Sequence, residues 1–342
     1  MRSATLALFL FVAATLNAQK DKITTFDVPN GTFTTPLGIS PSGAIVGYYD
    51  DTMGEIRGFL RDSHGKFITF NFPNEPSIFP TAVNQSGEIV GYYNVPFNQQ
   101  TEPVQVGFVR RASGTFTSIK PPGATNVYPN GINSAGEIVG QYVDLGQFTH
   151  GFIQSPSGTL TVFDITDDGF PGTRIIAINS AGQSTGSNSN IHDPVGTEHG
   201  FLRQPDGSIK AFDVLNAIET LPQAINARGQ IAGYYTNVST HGFVRDVDGD
   251  VTSIDVPSAS HTWIMGIDAH DRVAGNYLDS NARVHGFVRD KDGDITTIDV
   301  HGAAHTNVVA MSQLGDITGV WIDSNGDSHG FVVSHEANDK EK

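Results

Sequence analysis

One phrase, repeated seven times with drift, constrains this chain more than any other feature. Its fullest form is the stretch 225–257, INARGQIAGYYTNVSTHGFVRDVDGDVTSIDVP, and related segments run from residue 23 to residue 335. Three extended segments lie in it, IAGYY, HGFVRD and VTSIDVP, and INA ahead of them ends a fourth. A unit this short cannot bury an apolar face alone, so it must stack on its neighbours. Four short strands per unit with glycine-rich turns predict an all-β fold, a seven-bladed β-propeller of four-stranded blades.

The strands are labelled a to d within each repeat. A turn residue before strand b (Gly43, Gly87, Gly136, Gly182, Gly229, Asp271, Gly315) is followed four positions on by a glycine in every repeat. These glycines are Gly47, Gly91, Gly140, Gly186, Gly233, Gly275 and Gly319. Two positions further stands an aromatic residue, with Asn188 the one exception. Strand c carries Gly-Phe in all seven repeats. Glycine within a strand marks a bulge or the close approach of another backbone. Strand a ends in GIS, AVN, GIN, AIN, AIN, GID or AMS; its small residue suits the crowded axis of a ring, so strand a is placed innermost.

The chain ends predict how the ring closes. The last repeat stops after its strand c, while residues 23–28 (ITTFDV) read as a spare strand d. The N-terminal strand is therefore expected to complete the last blade and remove a sheet edge. The single propeller is expected over residues 23–334, followed by a disordered charged tail at 335–342. Residues 1–18, with Arg2 and an apolar run from Ala4 to Leu16, read as an export signal cut near Ala18. That run is shorter than the about 20 residues a spanning helix needs. A secreted or periplasmic monomer without a membrane span is expected.

Composition narrows the chemistry. With 20 basic and 36 acidic residues the formal net charge is −16, which repels phosphate backbones, so no nucleic-acid partner is expected. Cysteine is absent, which excludes thiol nucleophiles, iron–sulfur clusters and zinc–thiolate sites. No nucleotide-binding glycine loop and no nucleophile elbow occur, and no cofactor is expected.

Histidine precedes the Gly-Phe pair in five repeats (His150, His199, His241, His285, His329). Aspartate lies fourteen residues after the first four (Asp164, Asp213, Asp255, Asp299), and the spare strand supplies Asp27 for the fifth. Repeats with Arg57 or Val106 in place of histidine lack the aspartate too. A catalyst is rarely needed five times. The pairs therefore read as structural cross-strand bonds that set register, and no catalytic residue is assigned.

The GINxxGxIVGxY…HGF(L/V)R pattern, with FDVP or IDVP after it, resembles the HAF family of bacterial extracellular repeats over nearly the whole chain past residue 18. The family motif suggests alanine between His and Phe, where this chain has glycine throughout. The resemblance implies export and a β-propeller-like fold, and brings no established activity or substrate.

The d–a and b–c loops share one face of such a ring, and b–c lengths vary most, in the second and fourth repeats. Eight residues past the Asp position the repeats diverge, to Thr35, Phe79, Tyr128, Leu221, Trp263 and Asn307, with Arg174 in the fourth repeat. Phe79, Tyr128, Arg174, Trp263 and Asn307 are the ligand-binding candidates, suited to a sugar or a peptide. The expected function is a binding or scaffolding module for an extracellular or envelope protein or glycan. The alternative is a metal-assisted hydrolase or lyase at the same face. No carboxylate holds this rim position, against the facing pair a glycosidase uses, which leaves acids on the long loops. Glu219, His261 and His305 share one loop position in consecutive repeats, and His192, Asp193 and Glu198 share the fourth repeat's long loop. Both sets read as polar loop residues ahead of metal ligands. The turns DVDGD, DKDGD and DSNGD read as Asp-Gly hairpin turns ahead of calcium loops, because their glycine comes fourth rather than sixth.

Overall fold

The computed structural model describes residues 22–73, 75, 77–95, 104–165, 172–189, 194 and 196–334. The expected export signal, the charged tail, His192 and Asp193 lie outside them. Every regular element among the described residues is a β-strand.

The fifth repeat shows how its residues make a sheet. Strands a (Glu219–Ile225), b (Ile231–Thr236), c (Thr240–Arg245) and d (Val251–Ile254) pair antiparallel in that order. Gly229 takes a φ of 88° in the a–b turn, which a side chain would disfavour, and Asn226 Oδ1 accepts the N–H groups of Arg228 and Gln230, each at 3.0 Å. In the c–d turn Asp246 accepts the N–H groups of Gly249 and Asp250. Asp290 and Asp323 cap their own turns in the same way, so the hairpin reading of all three Asp-Gly segments holds.

Each repeat builds this sheet, and the first two are joined by one parallel bridge, Ile56 to Ser77. The last repeat takes its fourth strand, Lys22–Phe26, from the other end of the chain, with Lys22 opposite Ser334 and Phe26 opposite Gly330. Each strand a touches the strand a of the next repeat, and Thr32–Ile39 touches His305–Met311, which closes a circle. Neighbouring sheets pack face to face, so the core lies between them. Strand b is buried on both faces as a result (Ile231 and Ala232 are both 0% exposed), and the Phe of every Gly-Phe pair is fully buried.

Each strand a carries a bulge at its middle, for example between Pro222 and Ala224. The bulge pushes the carbonyl of the preceding residue toward strand b. A Cβ on any of the seven strand-b glycines would overlap that carbonyl, that of Leu221 over Gly233 and that of Phe79 over Gly91. The invariant glycine is thus the counterpart of the bulge, and it sets the position of the diverging rim residues.

At the far end of strand a, side chains tie repeats together. Asn84 donates to the carbonyl of Asn133, Asn133 to that of Asn179, Asn179 to that of Asn226, and Asn226 to that of Asp268, at 2.9–3.2 Å. Asp268 has no such donor, and Arg272, paired with it at 2.8 Å, instead donates to the carbonyl of Gly315. Ser312 and Ser40 hold the corresponding places in the last and first repeats.

Candidate functional site: the channel mouth

The diverging positions all lie on strand a, each opposite the residue just after the strand-b glycine. Thr35 faces Tyr48, Phe79 faces Tyr92, Tyr128 faces Gln141, Arg174 faces Ser187, Trp263 faces Asn276 and Asn307 faces Val320. These residues are half-buried around the axis, except the buried Ser187, Asn276 and Val320, at the end where the d–a and b–c connections meet.

Phe79 and Tyr128 are brought together through Tyr92. Tyr48 meets Phe79 edge-on at 5.3 Å, Phe79 stacks on Tyr92 at 5.0 Å, and Tyr92 meets Tyr128 edge-on at 5.3 Å. This run of four rings spans three consecutive repeats. Tyr128 donates its hydroxyl to Gln105 Oε1 at 3.1 Å. Burial raises the phenol pKa of Tyr92, with Tyr128 and Tyr48 adding to it, and burial raises that of Tyr128. Both phenols therefore stay protonated at neutral pH and able to donate.

Arg174 joins a different group. It pairs with Glu198 at the end of the long fourth connection, and Glu198 also accepts from Ser187 Oγ. A carboxylate thus does reach this mouth, from a loop rather than from strand a. Tyr234 stands in the next repeat, its phenol pKa raised by burial and then by the charges of Glu219 and Glu198. Trp263 stacks on His261 at 5.5 Å.

Tyr48, Tyr92 and Tyr234 escaped the sequence reading, which followed the aromatic two places after the strand-b glycine. Their signal was the residue one place after it. The partnership of Glu198 with Arg174 had no spacing signal, because an irregular connection lies between them.

The shared loop position of Glu219, His261 and His305 has a structural use. His261 Nδ1 accepts the N–H of Thr240 and His305 Nδ1 that of Val284, each at 3.2 Å, so both rings latch onto strand c of the preceding sheet. Glu219 lies in a backbone bridge with Glu198. Among the described residues no group of three or more His, Asp or Glu side chains gathers as a cation site.

All five His–Asp pairs form, through Nδ1 at 2.9–3.0 Å. Four of the rings also stack on the strand-b aromatic: His150 on Tyr142, His241 on Tyr235, His285 on Tyr277 and His329 on Trp321. A second group faces Nε2 in several: Asp144 for His150, Asp279 for His285 and Ser239 for His241. Arg57, standing in the histidine place of the first repeat, pairs with Asp51 and Glu55.

No protein-family model and no curated protein matches this chain. Solved structures do. A virginiamycin B lyase from Staphylococcus aureus is similar over 92% of this chain and 99% of its own, at 11% identity and a TM-score of 0.57. A prolyl endopeptidase is similar over 90% of this chain and 51% of its own, at 15% identity and a TM-score of 0.61. TolB from Acinetobacter baumannii is similar over 74% of this chain and 62% of its own, at 15% identity and a TM-score of 0.50. Together with the ring of antiparallel sheets, these similarities define the fold as a β-propeller. No helix among the described residues is long and apolar enough to cross a membrane.

Proposed function

We propose that this chain is an exported, seven-bladed, HAF-type propeller that acts as a monomeric binding module, and that it takes an extracellular or envelope glycan at the channel mouth. The observation that carries the reading is the four-ring run Tyr48–Phe79–Tyr92–Tyr128 beside the Arg174–Glu198 pair. Sugars present apolar C–H faces ringed by hydroxyl groups. Half-buried aromatic rings suit the former, while phenol hydroxyls, a guanidinium and a carboxylate suit the latter. A protein partner would more usually call for a broad surface than a run of four aromatic rings confined to three repeats.

The test is a titration of the chain, from residue 19 on, with soluble polysaccharides and, in parallel, envelope peptides. Tryptophan fluorescence and calorimetry are both followed, because Trp263 on the rim is one of only two tryptophans. Saturable polysaccharide binding that Tyr92→Ala abolishes supports the reading. A response to peptides alone replaces the glycan with a protein. Release of product, suppressed by a chelator, moves the assignment to a metal-assisted hydrolase or lyase. No heat and no fluorescence change across the panel removes the binding role.

A further inference from the structure

The strands that carry the aromatic rim at one end of the channel enclose a chamber of about 470 Å³ at the other, where they turn into strand b. This volume lies within the roughly 300–1,000 Å³ of small-molecule sites. Residues from every repeat line it, among them Leu37, Ile132, Ile176, Met265, Val309 and Met311. The chain carries a formal charge of −16, yet no charged and no aromatic side chain is among the described residues lining this space.

Several of the polar side chains lining the chamber are occupied, while Gln85, Ser134, Ser180 and Gln223 line it as well. Asn84, Asn133 and Asn179 each donate one amide hydrogen to the next repeat's carbonyl and the other to a side chain of their own turn, namely Glu88, Glu137 and Gln183. Their amide oxygens each accept two backbone N–H groups of the same turn. Thr81 donates to the carbonyl of Pro129 and Asn130 to that of Ile175. The wall therefore offers a guest dispersion contacts and a few neutral polar groups, Gln223 among them. An ion would lose its hydration there with no charged side chain to compensate it.

One side chain straddles the opening. Gln313 of the seventh repeat accepts the N–H of Ala227 of the fifth at 2.9 Å, passing the sixth, where its backbone carbonyl accepts the N–H of Ala269.

We propose that this chamber is a second binding site, separate from the glycan-binding mouth, for an uncharged and largely apolar small molecule.

The test uses the whole folded chain and the neutral fluorophore N-phenyl-1-naphthylamine, with its anionic sulfonated analogue as the charged control. Methionine methyl groups labelled with carbon-13 report the location. Met265 and Met311 line the chamber, whereas Met53 is 82% exposed. Saturable binding of the neutral probe that shifts the Met265 and Met311 methyl resonances and leaves Met53 unmoved is the expected result. The sulfonated probe should produce no shift at these two methyls. Met265→Trp, which fills the chamber, should abolish the response, with unchanged cooperative unfolding showing that it still folds. A fluorescence change without movement of Met265 and Met311 would mean adsorption to the surface and overturn the proposal. Equal binding of the charged probe at these methyls, or none of either probe, would overturn it as well.

Discussion

His329 holds Asp27 at 2.9 Å although 302 residues separate them in the chain. The bond joins strand c of the last repeat to the strand it takes from the N-terminus. It belongs to a set of five, so its strength can be ranked against equivalents. His285 and Asp299 have side chains 11% and 36% exposed, whereas His241 and Asp255 are at 25% and 51%. Double-mutant cycles should therefore give a larger coupling for His285–Asp299, about 1 kcal/mol, than for His241–Asp255 or His329–Asp27, about 0.5 kcal/mol. Additivity at His285–Asp299 would mean that the bond contributes nothing to stability.

Removal of residues 19–30 tests the borrowed strand itself. It deletes Phe26, over which the Arg61 guanidinium sits at 4.9 Å, and Val28, which is 2% exposed. The expected loss exceeds about 3 kcal/mol, read as a lower melting temperature and a lower denaturant midpoint. An unchanged melting temperature would show that the last sheet does not depend on its fourth strand.

Arg272 is the substitute donor where Asp268 interrupts the asparagine series, and Asp268 is 0% exposed. Arg272→Ala leaves a buried carboxylate without its partner and should cost about 3–5 kcal/mol. Asp268→Asn in that background should recover part of the loss, because the amide supplies a donor and carries no charge. Denaturant unfolding of the single and double variants reads both effects, and no recovery would separate the Arg272 effect from Asp268.

Gly233→Ala places a methyl group against the carbonyl of Leu221 at the bulge. Strand a must shift to admit it, so stability should fall by about 1–3 kcal/mol or more. The corresponding Gly91→Ala displaces Phe79 and should also weaken any ligand held by the aromatic run. Calorimetric unfolding checks the first effect and the polysaccharide titration the second.

Acid should loosen the b–c turns before the sheets. Backbone N–H donation from Phe148, Arg283 and Asp327 lowers the pKa of Asp144, Asp279 and Asp323 respectively, against an opposing effect of burial, and the neighbouring histidine adds to the lowering in each. A depressed folded pKa gives stability that is complete above the unfolded value of about 3.9 and is lost as pH falls through the folded value. Replacing the three by asparagine keeps the acceptor oxygen and removes the titration. The melting temperature of that variant should decline less steeply below about pH 4.

The ring of sheets, its closing strand and the glycine positions were legible because each is imposed on every repeat by the same contact. The strand-b glycine answers the strand-a bulge seven times over. The His–Asp pairs were legible for the same reason. Features made once were not. Arg174 could be singled out as divergent, but not its pairing with Glu198, because an irregular loop has no period to read. The Asn of GIN and AIN was visible as a letter, but its partner is a backbone carbonyl one repeat away, and a carbonyl leaves no mark in a sequence. His261 and His305 read as polar loop residues, but their bonds to the backbone of the preceding strand c were not legible, for the same reason.

The strand borrowed from the N-terminus also dictates an order of events. Among the described strands Lys22–Phe26 pairs with Ser328–Ser334 alone, so it waits unpaired until that distant strand has been made. The other sheets can each assemble from residues close in the chain, while the closing sheet needs a loop closure across nearly all the described residues. Folding should thus show a fast growth of sheets followed by one slow closing step, and a circular permutant that attaches residues 22–30 after Ser334 should fold without it.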